Sequence, residues 1–201
     1  MISVGEIWDQ RFSEHAWPTE PDPFLVELAA PLQPGRCLDL ASGPGRNSLW
    51  LASNGWEVTA LDASEVALSQ ATKRASEVGA HIETLHADVV EWQPAQADYD
   101  LVVVANLHLS LVALTAVLAV AAQALVPGGH LFVVGHDLDN LGRNGPLDPD
   151  RLFTVERLAR ALPPTVSVEK LERRTRTLHD AVEQDVTGPD VAVLAWATRY
   201  P

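Results

Sequence analysis

Two glycines one residue apart follow an apolar run in the stretch DLASGPGRN, and an acidic residue ends the next apolar run along the chain. Gly43 and Gly45 allow the backbone to turn sharply and to approach a ligand that a side chain would exclude. Asp62 lies 19 residues after Gly43, where its carboxylate can hold both hydroxyls of a ribose. The dinucleotide fingerprint requires a third glycine at position 48, where the chain has Ser48. These residues predict a nucleotide site and leave the identity of the nucleotide open.

Histidines occur at the ends of two later apolar runs, DYDLVVVAN and HLFVVGHD. His108 follows the first run, and His136 lies in the second with Asp137 beside it. Because imidazole is the side chain that most often exchanges protons in enzymes, we predict His108 and His136 as candidate catalytic bases. The alternative for each is a place in the wall of the substrate site or in the structure.

The elements that must position these residues alternate between strands and helices. Ser64 and Thr154 are predicted to cap the helices that follow them. The predicted strands are Arg36–Ala41, Glu57–Asp62, His81–Asp88, Asp98–Asn106, His130–Asp137, Val166–Thr177 and Val191–Arg199. The predicted helices lie within Gly45–Gly55, Glu65–Val78, Leu107–Val126 and Val155–Leu162, and the polar segment Asp137–Arg151 is predicted to be a surface loop.

This order predicts an α/β fold, with a Rossmann-like, doubly wound, mostly parallel sheet of about seven strands and helices on both faces. In such sheets ligands bind beyond the carboxyl ends of the strands. The segments predicted at those ends are Ala41–Gly45, Asp62–Ser64, Ala87–Val89, Ala105–His108 and Gly135–Asp137.

Several segments, in order, resemble the motifs of the class I S-adenosylmethionine-dependent methyltransferases. The stretch LDLASGPGRNSLWLASNGWEVTALDAS resembles motif I and the second-strand acid, and HADVVEW has the acid after the third strand. DYDLVVVANLHL resembles the fourth-strand motif, and LVPGGHLFVVG resembles the turn into the fifth strand. The N-terminal stretch WDQRF, followed by Trp17, is similar to the N-terminal segment of small-molecule methyltransferases of the tellurite-resistance and thiopurine type.

The resemblance implies S-adenosylmethionine as cofactor and S-adenosylhomocysteine as product. Asp39 would hold the ammonium group of the methionine part, and Ser42–Gly45 would pass beneath that part and the ribose. Asp62 would bind the ribose hydroxyls, while Asp88 and the amide of Val89 would meet the adenine edge. This cofactor has no pyrophosphate, so a third glycine at the helix start is not needed.

The aromatic residues upstream of the core add a further expectation, because the face of an indole ring attracts a sulfonium cation. Trp17 and Trp8 are therefore candidates to fold over the site, and the alternative for both is packing of the N-terminal helix. The complete set of residues predicted to bind the cofactor is Trp17, Asp39, Ala41, Ser42, Gly43, Pro44, Gly45, Asn47, Asp62, Ala63, Ala87, Asp88, Val89, Ala105 and Asn106.

The function predicted from the resemblance is transfer of a methyl group to a small molecule by in-line displacement. The fourth-strand segment ANLHL lacks the motif of enzymes that methylate amino groups of nucleic-acid bases. Metal-dependent catechol-type methyltransferases have an acid at the end of the fourth strand and an Asp-Asn pair after the fifth, where this chain has Asn106 and His136-Asp137. The spacing of the cysteine and histidines fits no zinc site, so no metal is predicted. Alternatives are a cofactor-binding sensor and a nicotinamide-dependent reductase. Neither Tyr99 nor Tyr200 has the lysine four residues on that a short-chain reductase needs.

Composition limits the partners. The 201 residues carry 27 acidic and 14 basic side chains, a formal net charge of −13, which repels nucleic acid.

The charge-free stretch Leu101–His136 is long enough to cross a membrane, but the PGG turn within it favours a buried strand, helix and strand. A single cysteine, Cys37, and the lack of a signal-peptide pattern predict a cytoplasmic protein. We expect a monomer or homodimer with one domain over 1–201, divided into an N-terminal helical cap (1–35), a cofactor-binding core (36–137) and a substrate-side part (138–201).

Overall fold

The computed structural model describes residues 2–143, 145–176 and 190–201. Its helices are α1 (Val4–Glu14), α2 (Pro23–Ala29), α3 (Arg46–Ser53), α4 (Glu65–Glu77), α5 (Leu111–Ala124) and α6 (Val155–Ala161). Its strands are β1 (Arg36–Leu40), β2 (Glu57–Asp62), β3 (Ile82–His86), β4 (Tyr99–Ala105), β5 (Leu125–His136), β6 (Val166–Arg176) and β7 (Asp190–Arg199). The chain forms two compact units, Met1–Trp92 and Gln93–Pro201.

In the first unit, β1 and β3 both pair in parallel with β2. Leu40 is opposite Leu61, and Asp62 is opposite His86, so the carboxyl ends of the three strands lie side by side. The helix after β2 begins where the sequence predicts, because the Ser64 side chain accepts a hydrogen bond from the amide of Ala67. The register therefore places the glycine turn next to Asp62.

In the second unit, β4 pairs in parallel with β5, and β5 pairs antiparallel with β7, which in turn pairs antiparallel with β6. The apolar runs Leu101–Val104 and Leu131–Val134 are buried, as strands covered on both faces should be. On α5, Leu114 and Leu118 are fully buried. The apolar stretch Leu101–His136 is thus divided among β4, α5 and β5, and no helix in the described part of the chain could span a bilayer.

The seven strands follow the order β3-β2-β1-β4-β5-β7-β6 in one sheet. This order confirms the predicted fold class, an α/β Rossmann-like fold with a mostly parallel sheet. Some predicted boundaries are wrong by a few residues. β3 ends at His86 because Asp88 turns the chain, and β5 starts at Leu125 because Leu125 pairs with Tyr99 before the PGG turn. The predicted last residue of the sixth strand, Thr177, lies outside the described residues.

Candidate functional site

The turn that follows β1 has three residues in the left-handed backbone region. Gly43 and Gly45 have φ of 54° and 79°, which glycine adopts readily. Ala41 has φ of 56°, a conformation that strains an alanine and that occurs mostly at functional sites. The amide of Ser42 donates to the carbonyl of Leu61 at 3.0 Å, which attaches the turn to the end of β2. This end of β1 therefore offers backbone groups to a ligand at close range.

Asp62 joins the glycine turn to the start of α4. Its Oδ2 accepts from the amide of Gly43 at 2.8 Å, and its Oδ1 accepts from the amide of Ser64 at 2.9 Å. Burial raises the pKa of Asp62 above its usual value, and the bonds from Ser64 and Gly43 limit the rise. Each carboxylate oxygen can accept a further hydrogen bond. Asp62 is thus held rigidly and retains acceptor capacity for hydroxyl groups.

Asp39 is buried in the first unit, and its carboxylate accepts a hydrogen bond from one side chain. Only 1% of the residue is exposed, and Ser48 Oγ donates to Oδ2 at 2.6 Å. Burial raises the pKa of Asp39 to about 6, while the bond from Ser48 and the charge of Arg46 limit the rise. A buried carboxylate in this state is stabilised by any cation that reaches it. The ammonium group of S-adenosylmethionine has that charge, so Asp39 fits the role that the resemblance implies.

The turn after β3 is tied to the same edge. Asp88 Oδ1 accepts from the amide of Val90 at 2.9 Å, and the amide of Ala87 donates to the carbonyl of Asp62 at 3.0 Å. Asp88 and Ala87 are half-buried and Val89 is buried. The carboxylate of Asp88 thus shapes its own turn and keeps one oxygen for a ligand.

Helix α1 lies against both turns through an acidic residue and a ring. Asp9 Oδ1 accepts from Ser64 Oγ at 2.6 Å and from the amide of Val66 at 3.1 Å. A Cβ added to Gly43 would be 3.3 Å from Cζ of Phe12, and one added to Gly5 would be 2.4 Å from the carbonyl oxygen of Ala63. Sequence analysis did not predict these contacts, which fix α1 at the carboxyl ends of β1 and β2.

Three aromatic rings cluster on and beside α1. The ring centroid of Phe12 is 5.5 Å from that of Trp8 and 4.9 Å from that of Trp17. The guanidinium of Arg11 lies 4.6 Å from the centroid of Trp8, which shows that this indole already attracts a cation. Trp17 is half-buried, so its predicted contact with the cofactor stays a prediction.

Three further residues of the predicted cofactor site, Asn47, Pro44 and Gly45, make contacts that stabilise the fold. Asn47 is buried, and its Oδ1 accepts from the amide of Asp22, the residue that caps α2. The carbonyl of Pro44 accepts from Nη1 of Arg74 at 3.3 Å. A Cβ on Gly45 would be 2.8 Å from Cβ of Ala71, so Gly45 allows α3 and α4 to pack closely.

In the second unit, the end of β4 carries another strained residue. Asn106 has φ of 57°, and its amide donates to the carbonyl of Val134 at 2.7 Å. Its Oδ1 accepts from Nη2 of Arg176 at 3.1 Å. Ala105 is half-buried at the last position of β4. The strain at Asn106 matches that of Ala41, since both residues follow a parallel strand.

His108 is a neutral imidazole with both ring nitrogens engaged. A carbonyl can only accept, so Nδ1–H donates to the carbonyl of Arg151 at 2.9 Å. Nε2 is then the unprotonated nitrogen, and it accepts from the amide of His136 at 3.4 Å. Burial lowers the pKa of His108 to about 4, and the charges of Arg176 and of His136, when His136 is protonated, act in the same direction. This arrangement makes His108 a weak base.

His136 is oriented by a buried ion pair. Its Nδ1 lies 3.0 Å from Oδ1 of Asp190, whose Oδ2 accepts from Nε of Arg176 at 2.5 Å. Burial raises the pKa of Asp190, but the hydrogen bond with His136 and the charge of Arg176 outweigh burial and lower it to about 2. Asp190 is therefore ionised and accepts Nδ1–H. Within the described chain nothing hydrogen-bonds Nε2 of His136, so that nitrogen can take a proton.

Three of these partners were missed by sequence analysis. In the sequence, Ser48 differs from the third glycine of the dinucleotide fingerprint, and that pattern gives no sign that its hydroxyl donates a hydrogen bond to Asp39. Asp9 and Asp190 stand far along the chain from Ser64 and His136, and only the folded chain brings them into contact. Among the described residues, no group of His, Cys, Asp or Glu could hold a metal ion.

Comparison with known proteins gives a family match over the core. Residues 37–129 match the family model described as a methyltransferase domain. A curated relative, the ribosomal RNA small subunit methyltransferase C of Alcanivorax borkumensis, is 32% identical over 71 residues, which are 35% of this chain. The match spans about a fifth of that relative, 21% of its length.

Solved structures are similar over nearly the whole chain. A structure from work on the conversion of a disulfide bond into a thioacetal group during echinomycin biosynthesis has a TM-score of 0.77 and 20% identity, covering 98% of this chain and 92% of that one. TehB from Haemophilus influenzae has a TM-score of 0.71 and 20% identity, with 96% and 67% covered. The N-methyltransferase NodS from Bradyrhizobium japonicum WM9, in complex with S-adenosyl-l-homocysteine, has a TM-score of 0.70 and 18% identity, with 96% and 98% covered.

The family match and the structural likenesses support different statements about this chain. The structural likenesses are below 25% identity and by themselves show the fold, whereas the family match covers the strands that carry Asp39 and Asp62. Residues 37–129 therefore match a methyltransferase domain, and the described chain has the fold of these solved structures.

Proposed function

We propose that this chain transfers the methyl group of S-adenosylmethionine to a small-molecule acceptor. When bound, the cofactor supplies an electrophilic methyl group on a sulfonium, which an acceptor nucleophile takes by in-line displacement. The observation that supports the proposal best is the rigid position of Asp62, whose carboxylate accepts the amides of Gly43 and Ser64. A ribose bound there would be oriented without rearrangement of either turn.

We propose that the other carboxylates bind the remaining parts of the cofactor. We assign Asp39 to the ammonium group, because burial raises its pKa to about 6 and a further cation beside the carboxylate would stabilise the charged form. Asp88 and the amide of Val89 are assigned to the adenine edge, at the turn after β3. Trp17 is assigned to the sulfonium side, since its ring belongs to a cluster that also holds Arg11 over Trp8.

We propose a small molecule as acceptor on grounds of charge. The net charge of −13 opposes binding of RNA, which is the substrate named for the relative from Alcanivorax borkumensis. That similarity covers 35% of this chain and 21% of the relative, so it concerns a shared piece of a longer protein. A cytoplasmic location, a monomeric or homodimeric state and the three-part division of 1–201 stay predictions.

Where the acceptor must lose a proton, we propose His136 as the base. The ionised Asp190 accepts Nδ1–H, which leaves Nε2 as the nitrogen with a free lone pair. His108 is the weaker candidate, because its pKa is about 4 and both of its nitrogens have partners. Its ring, stacked 5.4 Å from the ring of His136, supports the position of His136.

Calorimetric titration tests the cofactor part of the proposal. We expect S-adenosylhomocysteine to bind with one site per chain and NADH to give no heat beyond dilution. Binding of NADH without S-adenosylhomocysteine would overturn it. A screen of thiols, phenols, amines and chalcogen oxyanions with methyl-labelled cofactor then tests catalysis. Cofactor binding with no labelled product from any acceptor class would favour a sensor.

Single-turnover rates at saturating cofactor test the base. We expect His136→Ala to slow methyl transfer about 100-fold or more, with partial recovery in added imidazole. Asp190→Asn is expected to slow it as well, because an amide no longer selects the Nδ1–H tautomer of His136. His108→Ala should have the smaller effect. A His136→Ala rate equal to that of the wild type removes His136 from the chemistry.

A further inference from the structure

Arg157 carries a buried donor that has no partner. It is the third residue of α6, half-buried, and its Nε makes no hydrogen bond. Nη2 makes one long contact, to the carbonyl of Leu109 at 3.4 Å. No carboxylate within the described ranges forms an ion pair with this guanidinium. Since an unpaired buried N–H destabilises a protein, the orphaned donor needs an explanation.

Two other arginines of the same unit have the carboxylate partner that Arg157 lacks. Arg173 pairs with Asp137 at 3.1 Å, and Arg176 pairs with Asp190. Each has a buried carboxylate at its guanidinium. Arg157 has only a carbonyl group, so its positive charge is uncompensated within the described chain.

The guanidinium lies beside the residues already described at the ends of β4 and β5. Leu109, which it contacts, follows His108 in sequence. Besides burial and the charges of His136 and Arg176, the charge of Arg157 contributes to the low pKa of His108, which places the two side chains close together. Phe153, whose ring centroid is 5.3 Å from that of His108, lies just before the cap of α6.

We propose that Arg157 binds an anionic oxygen group of the methyl acceptor, either an organic carboxylate or an inorganic oxyanion. This inference rests on the proposed function. A guanidinium presents adjacent N–H groups in one plane, the geometry that an oxyanion with two oxygens accepts. Nε–H is entirely unused, and Nη2 uses one of its two hydrogens. An oxyanion satisfies the orphaned donor and the unpaired charge together.

The surrounding charges favour the same ligand. His136 and Arg176 share one carboxylate, that of Asp190, so they leave no negative charge for Arg157. A neutral acceptor could accept from Nε–H but would leave the positive charge of Arg157 without an anionic partner.

Nitrogen NMR of arginine side chains in the S-adenosylhomocysteine complex tests the proposal directly. Acetate represents the carboxylate, selenite and sulfate the inorganic oxyanions, and acetamide is the neutral control. The Nε signal of Arg157 is assigned by its loss in Arg157→Lys. Arg160→Gln is the matched control, because Arg160 is an exposed arginine on the same helix. We expect a saturable shift of the Arg157 signal with an anion, and none with acetamide.

The outcomes separate this proposal from the proposed function. Arg157→Gln should bind the anion at least about tenfold more weakly than the wild type and Arg160→Gln, with S-adenosylhomocysteine affinity unchanged. A shift with acetate alone identifies a carboxylate acceptor, and a shift with selenite or sulfate alone identifies an inorganic one. No saturable shift with any anion, in protein that binds S-adenosylhomocysteine, overturns the role of Arg157 and leaves the methyltransferase proposal standing. Loss of S-adenosylhomocysteine binding in the wild type overturns the latter.

Discussion

Asp39 and Asp62 lie on the neighbouring strands β1 and β2, and their carboxylates have different hydrogen-bond donors. Asp62 accepts two backbone amides and organises two turns, whereas Asp39 has one hydroxyl donor and remains short of positive charge. The first arrangement suits hydrogen bonding to neutral hydroxyls, and the second suits binding of a cation. Changing each carboxylate to an amide should therefore give different results.

Asp62→Asn should weaken binding of S-adenosylhomocysteine by about 1–2 kcal/mol, or roughly tenfold. The amide group keeps the shape of the carboxylate but presents N–H toward one of the two backbone donors, and it lacks the charge that we propose binds the ribose hydroxyls. Calorimetry on the variant measures the change. Glu83→Gln, an exposed acid-to-amide change on β3, is the matched control and should bind as the wild type does. Unchanged affinity of Asp62→Asn with an intact fold would show that Asp62 does not meet the ribose.

Asp39→Asn should stabilise the free protein at neutral pH and weaken cofactor binding. The folded protein holds the Asp39 proton up to about pH 6, whereas an unfolded aspartate loses it near 3.8. Stability therefore falls as pH rises from about 3.8 to 6, by on the order of 3 kcal/mol, and an amide removes this loss. Asparagine still accepts the bond from Ser48 through its oxygen.

Urea unfolding at pH 4 and pH 7 measures the stability effect, and calorimetry measures the affinity. In the wild type, affinity for S-adenosylhomocysteine should decrease as pH falls below about 6, because protonation removes the charge that we propose holds the ammonium group. Asp39→Asn should bind weakly at every pH. A variant that is stabilised and still binds tightly would show that the ammonium group is held elsewhere.

Among the elements, the strands and the turns between them could be predicted, and the contacts of α1 could not. Apolar runs ending in Asp62 or in the glycine turn identify β2 and β1, because those signals lie within one short segment. The bond from Ser64 to Asp9 joins residues 55 positions apart, and no periodicity reports it. The same holds for His136 and Asp190, which are 54 positions apart.

Gly5→Ala should displace α1 from the end of β2. The added Cβ would be 2.4 Å from the carbonyl oxygen of Ala63, a distance that the backbone must relieve by moving. We expect a loss of about 1–3 kcal/mol in the free energy of unfolding, although alanine favours helix more than glycine does. Tryptophan emission should shift to longer wavelength as Phe12 moves with α1 and separates from Trp17, which lies outside the helix.

Glu14→Ala, a change at the exposed end of α1, is the control for this variant and should leave both readouts unchanged. Weaker binding of S-adenosylhomocysteine by Gly5→Ala would show that the position of α1 matters to the cofactor site. Stability and emission equal to those of the wild type would mean that α1 does not rest on Ala63 in solution.

At the scale of the whole molecule, charge decides between classes of acceptor. Proteins that bind RNA neutralise several phosphates with free lysines and arginines, and their affinity falls steeply with salt. This chain has 14 such residues against 27 acids. Arg46, Arg173 and Arg176 among them are paired with carboxylates, which reduces the positive charge available to a phosphate backbone.

We therefore expect no methyl incorporation into ribosomal RNA. The experiment incubates the protein and labelled S-adenosylmethionine with unmethylated small-subunit RNA and with intact small subunits, at low and moderate salt. Labelled S-adenosylmethionine with a small carboxylate or chalcogen acceptor, in the same buffers, is the comparison. Electrostatic repulsion from a net charge of −13 is strongest at low salt, where an RNA enzyme would bind best. Stoichiometric labelling of the RNA that decreases with salt would overturn the small-molecule proposal, because salt-dependent binding of RNA requires cationic contacts to its phosphates.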